Sequence, residues 1–161
     1  MELGAVHING EPMNIVMATD GSEAAIDAAR RSVDLLRPGA QVTLVMVIPE
    51  YEDPMEDAGG IEGPGISYEK ADKDWTKATA HGQTALDRTA AVLGPDVEVR
   101  LVPDDETTGA AIVRVAHEMN ADVLVIGSSG KGWVSRLFGG SVSDYVVHHA
   151  PCPVMLIRHD H

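Results

Sequence analysis

Gly127, Gly130, Gly140 and Ser141 are spaced so that several backbone N–H groups could meet a single anion. Val123-Leu124-Val125-Ile126, between Asp122 and Gly127, is a branched apolar run without polar alternation, the habit of a parallel strand buried on both faces. Gly127-Ser128-Ser129-Gly130 then breaks the strand into a loop. Gly140-Ser141 stands at the start of helical spacing through Val142, Tyr145, Val146 and His149. A glycine has no Cβ to hold a ligand off the main chain. The first N–H groups of a helix lack internal partners and lie at the positive end of its dipole. Such a stretch suits phosphate binding. Two familiar phosphate loops do not fit it. A P-loop would need glycine where Val125 stands, and the dinucleotide fingerprint around Gly130-Lys131-Gly132 has Ser135 in place of its third glycine.

A second candidate lies near the front of the chain. Asp20 follows the apolar run Asn14–Thr19 and precedes Gly21-Ser22-Glu23, where a strand meets a helix. A carboxylate there can accept hydrogen bonds from ribose hydroxyls; the same position also suits an acid that caps the helix. Lys131 and Arg136 fall between Gly130 and Gly140, where they could reach terminal phosphates or simply face solvent. Neither a catalytic group nor a metal site is expected. His148 and His149 are adjacent, so on a helix they diverge by about 100° and cannot chelate as an i, i+4 pair. Cys152, between two prolines, reads as a small buried hydrophobe. Residues 49–65 hold six acids, three prolines, four glycines and no Lys or Arg, which reads as a mobile acidic loop or lid. They lack the ligand order of a calcium loop.

Charge narrows the classes. A net charge of −13 opposes nucleic acid and acidic membranes, whose fields would repel the chain throughout its approach. A small anionic nucleotide responds mainly to local dipoles and bound cations, so a triphosphate is expected to arrive with a divalent metal. No apolar stretch reaches the roughly 18 residues of a membrane span. The first twelve residues have neither the basic nor the apolar region of a secretory signal. A single cysteine excludes an intrachain disulfide and favours a reducing, cytoplasmic location.

The elements that must position these residues alternate along the chain. After an irregular arm over 1–13, strands are expected at Asn14–Thr19, Gln41–Ile48, Asp96–Val102, Val123–Ile126 and Cys152–Ile157. Helices are expected from Ser22, a candidate N-cap, to Pro38-Gly39, from about Tyr68 to Leu93, from about Ala110 to Met119, and from Ser141 to about His149. Five strands alternating with four helices predict an open parallel α/β sheet, with ligands at the carboxyl ends of the strands where the winding reverses.

The spacing Gly-x2-Gly-x9-Gly-Ser from Gly127 to Ser141 closely resembles that of the nucleotide-binding members of the universal stress protein family. The resemblance extends to Asn14-Ile15-Val16-Met17-Ala18-Thr19-Asp20-Gly21-Ser22-Glu23 at the front and Ala150-Pro151-Cys152-Pro153-Val154-Met155-Leu156-Ile157-Arg158 at the back. It implies a Rossmann-like, adenine nucleotide alpha hydrolase-like fold, with strand order 3-2-1-4-5 and helices on both faces, over one domain at 14–158 with a short tail at 159–161. The ligand it implies is ATP, with Mg2+. Ala18, Thr19 and Asp20 would form one wall, Val47 would read the adenine through its backbone beside Val45, and Gly127, Gly130, Gly140, Ser141 and Val142 would hold the phosphates. Three or four hydrogen bonds to charged oxygens, at about 1.5–3 kcal/mol each before desolvation, suit micromolar affinity.

The function implied is a nucleotide-dependent regulatory protein of the stress response, a homodimer through Val154–Ile157 with a possible further protein partner. A slow Mg-dependent ATPase and a ligand-free dimeric scaffold are the competing classes. One departure from the family is Asp104-Asp105-Glu106, where members commonly show a glycine after the third strand.

Overall fold

Asn14–Ala18 forms β1, the middle strand of the sheet, and its side chains alternate between two apolar layers. Ile15 and Met17 enter one layer, Val16 and Ala18 the other, and all four are buried. A computed structural model describes residues 12–36, 38–51, 68–104, 106–128 and 141–158 of the chain. The expected N-terminal arm to residue 11, most of the acidic stretch (52–67), Lys131, Arg136 and the tail from 159 lie outside the described residues.

From β1 the chain runs through α1 (Glu23–Val33), β2 (Gln41–Pro49), α2 (Tyr68–Leu93), β3 (Glu98–Asp104), α3 (Thr108–Glu118), β4 (Val123–Ser128), α4 (Ser141–His149) and β5 (Val154–Arg158). All four strand pairings are parallel, in the order β3-β2-β1-β4-β5. Ser22 caps α1 as expected, its side chain accepting from the Ala25 N–H at 3.1 Å. Thr107 does the same for α3 through Ala110, so that helix starts two residues before its expected place. β3 runs later than Asp96–Val102 and includes Pro103. Because β3 pairs only with β2, it is an edge strand, where a proline costs no ladder bond on the open side. β5 begins only after Pro153, whose carbonyl accepts from the Leu124 N–H at 3.0 Å.

The two apolar layers decide where the site can be. One packs Ala28 and Ala29 of α1 and Leu86 of α2 against Ile15, Met17, Leu44, Val125 and Ile157. The other packs Ala111, Ile112, Val115 and Ala116 of α3 and Val142 and Val146 of α4 against Val16, Ala18, Val45, Leu124 and Ile126. Leu44, Leu86, Ile112 and Leu124 are fully enclosed, each contributing about 1.5–3 kcal/mol by leaving water. The first two helices thus cover one face and the last two the other. The winding reverses between β1 and β4, which are neighbours although a hundred residues separate them in sequence.

Gly127 belongs to the first of these layers. A Cβ there would lie 3.0 Å from the Ala28 Cβ and 3.5 Å from the Ala25 Cα, so the bare glycine lets α1 settle onto β4. Gly127→Ala should therefore lower stability by about 1–3 kcal/mol through overpacking, read as a shift of the urea midpoint at unchanged slope.

Candidate functional site

The carboxyl edge of the sheet at β1 and β4 is built around the turn that leaves β1. Thr19 is still held to the sheet, its N–H donating to the Val45 carbonyl at 2.9 Å. Its side chain is fully buried. Asp20 follows, half-buried, with Oδ1 accepting from the Ser22 N–H at 2.9 Å. Gly21 takes a φ of +72°, a region that side-chain-bearing residues avoid. That local bond gives the capping alternative real content, since Asp20 closes its own turn. A carboxylate has about four lone-pair positions, so a bond of this kind does not by itself stop the group accepting from a ligand hydroxyl.

Register gathers the other expected residues around this turn. Ala18 pairs with Val45 on one side and Ile126 on the other, so Val47 lies two residues beyond that level on β2 and Gly127 one beyond it on β4. Ala18 is buried; Val47 is half-buried on the same sheet face, against the α3–α4 layer. Ser141 is the first residue of α4, and Val142 is 5% exposed in that layer. The chain leaves β4 at its carboxyl end and returns to the amino end at Pro153, so the N-terminus of α4 lies at the carboxyl edge. Ala18, Thr19, Asp20, Val47, Gly127, Ser141 and Val142 therefore share one edge of the sheet. Gly130 and Gly140 lie outside the described residues.

For Gly127 the structure supplies a physical reason different from the expected one. Its missing Cβ makes room for α1, on the face away from α4, rather than for a ligand. Its main-chain groups still sit at the carboxyl edge. The backbone role expected of Thr19 is similarly narrowed, because its N–H is already given to Val45.

Three features of this edge escape a reading of sequence alone. Thr89 of α2 is fully buried and its Oγ1 lies 2.9 Å from the Thr19 Oγ1. Arg88 donates to the Gly21 carbonyl at 3.3 Å and to the Glu23 carboxylate. Asp104, at the end of β3, accepts from the Thr108 hydroxyl at 2.9 Å through Oδ2, while its buried Oδ1 has no hydrogen-bond partner among the described residues. A threonine on the apolar stripe of α2 was the available signal for the first. The acidic departure at Asp104-Asp105-Glu106 was the signal for the third, though Asp105 is outside the described residues.

Among the described residues no group of three or more His, Cys, Asp or Glu is arranged to hold a metal ion. His148 and His149 are exposed and turn their Nδ1 atoms to the carbonyls of Asp144 and Tyr145 one turn earlier. No helix among the described residues is long and apolar enough to cross a membrane.

An open parallel sheet in the order 3-2-1-4-5, wound in opposite senses about β1 and β4, places the protein in the adenine nucleotide alpha hydrolase-like class of folds. The chain belongs to the universal stress protein family, whose model matches residues 12–158. It is 34% identical, over 155 residues, to a protein named as a universal stress protein in Staphylococcus aureus strain USA300, covering 90% of this chain and 83% of that one. Among solved structures it is similar to universal stress protein UspA from Lactobacillus plantarum, with 25% identity, a TM-score of 0.62, and coverage of 93% of this chain and all of that one. It is also similar to the universal stress protein from Archaeoglobus fulgidus in complex with dAMP. There the identity is 25% and the TM-score 0.55, with 90% of this chain and 97% of that chain covered.

Cys152 is half-buried just before β5. Burial pushes its thiol above the usual range and the nearby Asp122 carboxylate adds to the shift, opposed by a hydrogen bond with the Leu124 backbone. The thiolate is the reactive form. Alkylation of the native protein should therefore accelerate only at a pH above the ordinary thiol midpoint, and unfolding in urea should return the profile to the ordinary one. Mass spectrometry of iodoacetamide adducts against pH reads both.

Proposed function

We propose that this protein binds an adenine nucleotide at the carboxyl edge of β1 and β4 and acts as a nucleotide-dependent regulatory module, with ATP and Mg2+ as the preferred ligand. The observation that carries this is the reversal of winding between β1 and β4, which brings the Asp20 turn and Gly127 of β4 onto neighbouring strands that are far apart in sequence. Crevices at such reversals are where open α/β sheets hold ligands. The dAMP complex of the Archaeoglobus fulgidus relative supports an adenine nucleotide as the class.

In this reading the unit over 14–158 acts as one domain in the cytoplasm. Asp20 accepts from the ribose hydroxyls, and the base lies along Ala18 and Val47. The phosphates meet the amides of Gly127, Gly130, Gly140, Ser141 and Val142. The donor set fits a nucleotide: a half-buried carboxylate beside small residues, on the same sheet edge as the start of a helix. Mg2+ would come with the phosphates and keep most of its waters, so it needs no dedicated protein cage. When bound it neutralises phosphate charge in a strongly anionic protein.

The edge strand β5 is the proposed dimer contact. It pairs on one side only, and its Leu156 is 41% exposed. Pairing with a second copy would cover an edge otherwise available to any strand.

Native mass spectrometry of the purified protein should find an adenine nucleotide, and the bound triphosphate should remain ATP over many hours with Mg2+; steady turnover would make it an enzyme instead. Asp20→Ala should weaken ATP by about tenfold or more, since a hydrogen bond to a charged group contributes about 1.5–3 kcal/mol, and EDTA should weaken ATP far more than AMP. Sedimentation at micromolar concentration should show a dimer, and Leu156→Asp a monomer.

A further inference from the structure

We infer that Thr89 of α2 is a positioning residue for the nucleotide: it touches no ligand, yet it sets the turn that aims Asp20. Nucleotide binding at the edge of β1, as proposed above, is the premise.

Hydrogen counting fixes the direction of the relay. Thr89 Oγ1 donates its one hydrogen to the Ala85 carbonyl at 2.8 Å. It can then only accept from Thr19, so the Thr19 hydroxyl donates across the 2.9 Å contact. With its hydrogen committed, the Thr19 oxygen turns a lone pair to the Gly21 N–H at 3.1 Å. The chain of bonds runs from Gly21 to Thr19 to Thr89 to the backbone of α2, and both threonines are fully buried. Water cannot replace a lost partner there.

The contact has no slack. A Cβ at Gly21 would lie 2.5 Å from the Ala85 Cβ and 2.9 Å from the Ala85 Cα, so the turn is pressed against α2 one helical turn before Thr89. Arg88 holds the next peptide of the turn through the Gly21 carbonyl. Its side chain is 52% exposed, however, and solvent screens what it contributes. The buried hydroxyl pair is therefore the stronger hold. Asp20 lies between the two residues so fixed, Thr19 and Gly21, and has little freedom to turn away from the crevice. A pre-set carboxylate avoids the ordering cost that a mobile one would meet on binding.

The test compares wild type, Thr89→Val, which keeps shape and removes the hydroxyl, and Thr89→Ser, which restores it. ATP affinity by calorimetry should fall at least fivefold in Thr89→Val and recover to within twofold in Thr89→Ser. In an Asp20→Ala background the same Thr89→Val change should cost nothing further. An unchanged affinity in Thr89→Val overturns the inference, and so does a full loss that persists when Asp20 is absent, because the effect then runs through stability alone. Thr19→Val, which removes the other hydroxyl, is held to the same outcomes should Thr89→Val fold poorly. Hydrogen exchange of the Gly21 amide gives a readout independent of nucleotide. If wild type binds no adenine nucleotide, the functional proposal fails. Gly21 protection lost in Thr89→Val and kept in Thr89→Ser would then still place Thr89 in control of the turn, and unchanged protection would overturn that as well.

Discussion

The pairing of β1 with β4 is the contact on which the rest depends. Ile15, Val16, Met17 and Ala18 lie against Val123, Leu124, Val125 and Ile126 in parallel register. Both strands are inner strands with both faces covered, so nearly every side chain on them is buried. Helices α1 and α2 must take one face and α3 and α4 the other, because each crossover returns to the side its winding sense dictates. In open α/β sheets a division of this kind leaves room for a ligand at the carboxyl edge.

Small residues convert the division into a site. At Gly127 the absent side chain lets α1 approach β4, and at Gly21 it lets the first turn approach α2. Gly109 serves the opposite layer in the same way, lying against Tyr145 of α4. These glycines close distances between elements, so the loops at the carboxyl edge start from well-defined positions. The chemistry expected of the edge, an acid opposite a set of unpartnered amides, depends on that closeness, because a hydrogen bond weakens steeply with a few tenths of an ångström and a poor angle.

Electrostatics work against an anionic ligand at long range and for it at short range. The net charge of −13 repels a polyphosphate in solution, but screening confines that field to about 8–10 Å at ordinary ionic strength. In the nucleotide-binding reading, the amides at the start of α4 would be fixed dipoles that cost no reorganisation when a phosphate arrives. Asp104, at the end of β3 beside Pro49 of β2, has one buried carboxylate oxygen with no hydrogen-bond partner among the described residues.

Local chemistry was legible from residue order. Branched apolar runs marked the inner strands β1, β2 and β4, because burial on both faces leaves no room for polar alternation. Ser22 was readable as a cap, since its partner lies three residues away; the end of α2 at Leu93 was marked by Gly94-Pro95. The family signatures at Asp20 and Gly127–Ser141 carried the order of the strands, which periodicity alone does not determine. Tertiary structure decided what depends on groups far apart in the chain. Thr19 and Thr89 meet across seventy residues. The missing Cβ of Gly127 makes room for α1 because alternation along β4 points position 127 to the same side as Val125. A residue's type states which bonds it can make, but which partner stands within 3 Å is set only when the sheet closes on its helices.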